Sequence, residues 1–264
     1  MRRNQLSDFS NVRPSGIIAM KLEEGDKLIA VRTCNETDDI LLATRQGKSI
    51  RFAVDDVRVF SGRTSVGVRG IKLSEKNDDV ISMSILHHVE AQAEERIAYI
   101  RQANAARRAS GEAVEASGNG GADEEDSASA ITLTPQRFAE LAKQEEFILT
   151  VSARGFGKRT SAYEYRITGR GGQGIWNMEM SGRNGLITAS FPVKDEQEIM
   201  LVTDGGQIIR MPVKDIRIAG RKTQGVTVFR VDETEKVVSV AALDDATDGG
   251  EESEVAPVDE GGDA

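Results

Sequence analysis

A unit of about 51 residues that returns along the chain constrains the fold more than any other feature. Its first part is an apolar run, a polar turn containing glycine, and a strand that ends near an arginine. Residues 39–52, 147–160 and 199–210 are three copies of it. Two such runs around a glycine turn specify a β-hairpin. A short corner with an acid in its third place follows: Leu6-Ser7-Asp8-Phe9, Val54-Asp55-Asp56-Val57, Ala162-Tyr163-Glu164-Tyr165 and Val213-Lys214-Asp215-Ile216. Then comes Gly-Arg-x-x-x-Gly and a β-branched residue, at Gly62 to Val68, Gly169 to Ile175 and Gly220 to Val226. Val12-Arg13-Pro14-Ser15-Gly16-Ile17 is a shortened version. Gly16 to Gly67 and Gly174 to Gly225 are both 51 residues, whereas Gly67 to Gly174 is 107, one period plus an insert of 56.

A period near 50 with about four short strands per unit is the signature of a propeller blade. One blade cannot bury both faces of its sheet, so neighbours must stack. The expected fold is all-β, with tandem propeller-like blades. Residues 1–37 form a partial blade, and residues 38–86, 146–193 and 197–243 form full ones. The insert, 87–145, departs from the pattern. Residues 89–109 are rich in good helix formers, and Thr134-Pro135 is an N-cap and first-turn proline opening a second helix to about Glu145. Residues 111–130 and the tail, 244–264, offer almost no apolar surface and are expected to be disordered. Three and a half copies are few for a propeller ring, and the first copy starts within its hairpin. A fragment of a longer protein, or a shortened gene product, is therefore expected.

The formal charge of −9 misleads until it is located. Nine acids and no bases lie in 244–264, and six acids and no bases in 111–130; with both set aside the remainder stands at +6. A basic body suits a polyanionic partner. The single cysteine, Cys34, cannot form an internal disulfide, and no signal-peptide core or bilayer-length apolar run is present. A cytoplasmic protein without a membrane role is the expectation.

Arg63, Arg170 and Arg221, with Lys222, occupy one equivalent place in successive units. If the blades stack around an axis, these side chains form a row on the outer rim, with Lys158 and Arg13 as extensions. Regularly spaced cations can track a phosphate backbone. The bland alternative is a solvated turn. Arg51, Arg159 and Arg210 recur as well. They lie on strands, so pairing with the corner acids Asp56, Glu164 and Asp215 competes with phosphate contact. Gly169 to Gly174 matches G-x-G-x-x-G, but the sister copies lack the middle glycine and no βαβ unit follows, so a turn is the better reading than a nucleotide site. His87-His88 with one distant cysteine is not a metal set. Trp176 is expected in the core beside Ile175. No nucleophile–base pair stands out, and the chain is expected to carry no catalytic residues of its own.

Gly155-Phe156-Gly157-Lys158-Arg159-Thr160, Ala162-Tyr163-Glu164-Tyr165, Arg183-Asn184-Gly185-Leu186, Gly220-Arg221-Lys222-Thr223-Gln224-Gly225-Val226 and Thr64 to Leu73 resemble the last blades in the C-terminal domain of the DNA gyrase A subunit. The resemblance covers roughly residues 2–86 and 146–243, and the acidic tail resembles that family's too. It implies a six-bladed β-pinwheel with strands exchanged between adjacent blades. It implies that double-stranded DNA wraps on a basic rim, in support of ATP-dependent negative supercoiling in the bacterial nucleoid. The first blades, with their glycine- and arginine-rich box, and the breakage-reunion domain with its tyrosine have no counterpart here. Tyr99, Tyr163 and Tyr165 stand in other contexts. By the same resemblance the partners are the A-subunit dimer and the gyrase B subunit, while ATP and Mg2+ belong to other domains or subunits. The topoisomerase IV counterpart is the alternative within the family. A protein-interaction propeller without DNA is the alternative outside it.

Overall fold

The computed structural model describes residues 1–73, 77–115 and 131–244. The described residues form thirteen strands, two α-helices and a few short 3-10 turns. The expected disorder of 116–130 and of the tail beyond 244 lies outside the described residues.

Three hairpins are the cores of three blades. The strands β1 (Asp39–Thr44) and β2 (Lys48–Ala53) pair in antiparallel register, Ile40 opposite Phe52. The later strand β3 (Val80–Leu86) returns to β1 on the other side. The second blade repeats this with β5 (Phe147–Ser152), β6 (Phe156–Ser161) and β8 (Ile187–Val193). The third does so with β9 (Glu198–Thr203), β10 (Ile208–Pro212) and β13 (Val237–Leu243). Strands β1 and β5 are nearly continuous apolar runs because both faces are covered. Leu42, Ile50 and Phe52 lie in one cluster with Val54 and Ile71, and Leu41 lies in another with Ile148 and Tyr165.

The segment after each corner does not stay in its own blade. It crosses to the preceding one and adds a strand beyond its hairpin. The short strand β7 (Ile175–Trp176) pairs with Lys48–Ser49 of β2, in the blade before its own. Likewise β11 (Ile218–Ala219) and β12 (Val226–Thr227) both pair with β6. The parallel bridges Arg3 to Val59, Arg51 to Ile167 and Arg159 to Ile218 occupy one equivalent place at three successive junctions. The glycine that ends each Gly-Arg-x-x-x-Gly turn lets the backbones meet. Gly174 has φ +70°, and a Cβ there would lie 2.4 Å from the Ser49 carbonyl oxygen. No L side chain fits that approach, which is why the motif closes on glycine.

The insert contains α1 (Ala93–Ala109) and α2 (Pro135–Lys143). The first begins four residues later than the composition suggests. Gln92 and Glu95 form its capping box, and Val89 is buried ahead of it against Tyr99 and Leu141. Thr134 caps α2, accepting a bond from the Arg137 N–H, with Pro135 at the first helical position. Between the helices β4 (Val114–Glu115) pairs in parallel with β11, so the start of 111–130 is tied to a sheet edge, contrary to expectation, although Val114 is only half-buried and its neighbours are exposed. The two-residue strand is held by its neighbour's free edge, a signal that composition does not carry.

In the partial blade only a 3-10 turn, Leu6–Phe9, and the bridge at Arg3 are regular. Leu28, Ile29 and Val31 there are 54%, 52% and 69% exposed, where their counterparts in β3 are covered by β1.

Candidate nucleic-acid interface

The candidate cations all lie on or beside the exchanged segments. Each corner is one 3-10 turn, and the short turn leaves carbonyl oxygens without an internal donor. The arginine of the next blade's Gly-Arg turn supplies one. Arg63 Nη1 donates to the Asp8 carbonyl at 3.2 Å, Arg170 Nε to the Asp56 carbonyl at 2.8 Å and Arg221 Nε to the Glu164 carbonyl at 3.2 Å. Arginine from one blade therefore staples the corner acid's backbone in the blade before it, three times over. This accounts for the recurrence of the Gly-Arg dipeptide without any ligand.

Exposure separates the three. Arg170 is exposed and Arg63 half-buried, so both guanidinium groups face solvent while holding their carbonyls. Arg221 is buried at 9%, its Nη1 donates to the Trp176 carbonyl, and its N–H donates to Glu164 Oε2 at 2.6 Å. Arg221 is a junction residue and not part of an outer row. Lys222 is half-buried beside it, and Arg13 is exposed.

Lys158 does not extend the row either. Its neighbours in Gly-Phe-Gly-Lys-Arg suggest a basic surface turn, yet the side chain is fully buried. Its ammonium donates to the carbonyls of Gly220, Arg221 and Thr223 at 2.7, 2.6 and 3.0 Å. Burial pulls it down from its ordinary value to about 7, against the opposing attraction of Glu164. The same place holds Ile50 in the blade before and Ile209 in the blade after, so this cradle is particular to one junction.

The strand arginines pair with acids other than the corner ones. Arg51 Nη2 lies 2.7 Å from Asp39 and Arg210 pairs with Glu198, both partners lying across the hairpin. Arg159 pairs with Asp195. Arg51 also donates to the Ala162 carbonyl at 2.9 Å, and Arg159 to the Ile216 carbonyl at 2.6 Å. Those carbonyls belong to the next blade's corner. Asp39 is fully buried and also meets His88 Nδ1 at 3.0 Å. Trp176 is 45% exposed and not in the core, because β7 is an edge strand; the Lys48 ammonium sits 3.6 Å from its ring centroid.

One recurring cation escapes a reading centred on glycines. Arg58, Arg166 and Arg217 each lie two residues after a corner acid, immediately before the residue that bridges to the preceding blade. They follow the same spacing as the corners, and that spacing is the sequence signal that marks them. Arg58 and Arg217 are exposed and Arg166 is half-buried. The Arg58 guanidinium stacks on Phe60 at 4.4 Å from the centroid, and Arg217 lies 3.8 Å from Glu115 of the insert. Among the described residues no group of histidine, cysteine and carboxylate side chains could hold a metal ion, and no helix is long and apolar enough to cross a membrane.

Residues 1–35, 38–87, 146–194 and 197–244 match the family described as DNA gyrase C-terminal domain, beta-propeller. A DNA gyrase A subunit of Granulibacter bethesdensis is 55% identical over 246 residues, 91% of this chain and 26% of that protein. The DNA gyrase A subunit of Rickettsia bellii is 46% identical over 96% of this chain and 27% of its own length. The chain thus spans about a quarter of the length of the curated relatives it matches. Among solved structures, a DNA gyrase A C-terminal domain superposes with TM-score 0.60, covering 87% of this chain and 58% of that one. A DNA topoisomerase IV C-terminal domain superposes with TM-score 0.65 over 92% and 58%. Both are 18% identical and speak to the fold.

Proposed function

Since the chain belongs to the DNA gyrase C-terminal domain family, we propose that it binds and bends double-stranded DNA along the exchanged segments of its blades, as the wrapping element of a DNA gyrase A subunit. The observation that carries this reading is the return of arginine two residues past the corner acid in every full exchanged segment, at Arg58, Arg166 and Arg217. At Arg58 and Arg217 no junction carbonyl among the described residues explains it. The guanidinium groups of Arg63 and Arg170 in the Gly-Arg turns lie on the same segments and add to it.

Contacts of this kind go to phosphates and carry no base code. Bending a 20–30 bp site by tens of degrees costs on the order of 1–6 kcal/mol. No single cation offsets that, whereas several in series do. The row that suits this role is Arg58 and Arg217 with Arg63, Arg170, Lys222 and Arg13. Lys158 and Arg221 leave it because they are buried. Arg63 and Arg170 have a double role, since the nitrogens that hold a corner carbonyl belong to groups that also face solvent. In the intact complex such wrapping supports ATP-driven negative supercoiling. The nucleotide and Mg2+ act on other domains, with the A-subunit dimer and the gyrase B subunit for partners, in a bacterial cytoplasm.

The test is the combined variant Arg13→Gln, Arg58→Gln, Arg217→Gln. None of the three side chains holds a junction carbonyl, so the fold is expected to survive, as circular dichroism would show. DNA affinity measured across salt concentrations should fall, and the salt slope should drop by roughly one for each phosphate deprived of its cation. An unchanged affinity and slope would place the DNA path elsewhere.

A further inference from the structure

Each full exchanged segment has a third recurring place besides the two that hold arginine. It is the second residue after the glycine that closes the Gly-Arg turn. Arg69, Trp176 and Thr227 occupy it, and all three are exposed. The main chain there abuts the Gly-Arg turn of the following blade. Arg170 Nη1 donates to the Arg69 carbonyl at 3.1 Å, and Arg221 Nη1 donates to the Trp176 carbonyl. Arg69 and Trp176 thus stand at equivalent points along the row of cations, with Trp176 beside the turn that carries Lys222.

The fold does not call for an aromatic ring at this place, since arginine and threonine serve in the other two segments. Trp176 nevertheless leaves 45% of its surface exposed. One face of its indole is covered, because across the β2–β7 pair the Lys48 ammonium stands 3.6 Å from the ring centroid. Stapling the exchanged strand does not need so large an open ring. At the next junction the same cross-strand place pairs Phe156 with Thr227, and the Arg183 guanidinium lies 4.9 Å from the phenyl centroid. Phe156 makes that contact while more covered than Trp176. An indole with a cation on one face and its other side open offers two chemistries at one point. It has apolar surface for the edge of a base step, and positive charge for the phosphate beside it.

We propose that Trp176 is a kinking contact on double-stranded DNA: the open side of its indole wedges a base step from the minor groove, while Lys48 holds the flanking phosphate. The inference rests on the reading of the chain as a DNA-wrapping element, and it adds the point at which the bend is concentrated. Cations in a row favour smooth curvature. An apolar wedge instead unstacks one step and kinks the duplex there. Pyrimidine–purine steps such as TA deform most readily, so a bound duplex settles with one of them at Trp176. Arg69 and Thr227 have no ring to insert. The kink therefore belongs to the junction between the first and second full blades, where β7 lies on β2.

Trp176 is the single tryptophan, so its emission reports the contact in the unaltered chain. Binding is followed separately, by the anisotropy of an end-labelled duplex that contains TA steps. As the duplex binds, the emission should be quenched and acrylamide should reach the indole less. Dextran sulfate has the charge and no bases, and should quench far less when bound. Trp176→Arg supplies the side chain of the counterpart Arg69, so the fold and a phosphate contact survive. The wild type should prefer a duplex with TA steps to one without them by roughly fivefold, and the variant should lose that preference. Energy transfer between dyes at the two DNA ends should show a smaller bend with the variant. Emission that ignores a bound duplex, or quenching just as strong with dextran sulfate, overturns the inference and leaves the wrapping reading in place. A TA preference and bend that survive in Trp176→Arg overturn it as well. Failure of the duplex to bind at all overturns both.

Discussion

Replacing Lys158 by methionine keeps the length and apolar stem of the side chain and removes only its ammonium. The ammonium donates to three carbonyls and approaches Thr223 Oγ1 at 3.4 Å. Two of those carbonyls have a further donor: Gly220 accepts from the Thr223 N–H at 3.1 Å, and Thr223 accepts from the Glu179 N–H at 3.1 Å. The loss is thus nearer to one broken charge-assisted cluster than to three orphaned acceptors, about 2 kcal/mol at neutral pH. The pH dependence is the sharper signature. Burial lowers the folded-state value from 10.5 to about 7, so between those limits the unfolded chain holds more protons than the folded one. Stability of the wild type then rises with pH across that window and falls back as pH drops towards 7. Methionine has no proton to exchange. The gap between the two proteins should widen from about pH 7 to about pH 9, by roughly 2 kcal/mol given about 1.4 kcal/mol per unit of full proton difference. Urea unfolding midpoints at the two pH values measure it. A gap that stays constant or narrows at the higher pH would mean that the buried lysine keeps an ordinary affinity for its proton, and the reasoning would fail.

Gly174→Ala should cost more than about 2 kcal/mol, combining left-handed strain with a Cβ against the Ser49 carbonyl, whereas Gly16→Ala should cost about 1 kcal/mol from strain alone; thermal unfolding compares them. Tyr165→Phe removes the hydroxyl that donates to Asn177 Oδ1 at 2.5 Å in a fully buried network with Thr150 and Ser190, and should lower stability by about 1–2 kcal/mol without altering DNA affinity. Lys48→Ala should shift the emission of Trp176, the single tryptophan, because the ammonium lies over its ring; an unchanged spectrum would place the indole elsewhere in solution.

Blade position is legible in the sequence because hairpin, corner and glycine turn are local signals and repeat at a fixed spacing. The strands β5, β6, β9 and β10 fall where the runs of Phe147, Gly155 and Ile199 place them. The exchange itself is implied only by resemblance. Ile175 and Trp176 have the same alternating pattern whether they pair within a blade or with Lys48 and Ser49 of another. Trp176 stands outside the expected core for that reason, since β-branched and aromatic content marks a strand without saying which edge it joins. Lys158 sits in a glycine-rich basic run that looks solvated, and only the next blade, folding over it, makes the cradle. The Gly-Arg recurrence is plain in the sequence, but its first role is not: a guanidinium that satisfies a backbone carbonyl in a neighbouring unit has the same sequence signature as one that awaits a phosphate. Arg58, Arg166 and Arg217 are equally periodic, yet no glycine flags them, so their recurrence stands out only once the corners are aligned.

Strand exchange also bears on synthesis at the ribosome. The edge of β2 at Lys48 and Ser49 is completed by Ile175 and Trp176, more than a hundred residues later, and the insert accounts for much of the delay. At translation rates of roughly 5–20 residues per second, that edge stands open for on the order of ten seconds while the chain emerges. The first and second hairpins are therefore each finished by the one that follows, and while they emerge the nascent chain trails one unsatisfied strand. A chaperone that shields extended backbone would find its substrate there, at the most recently emerged hairpin.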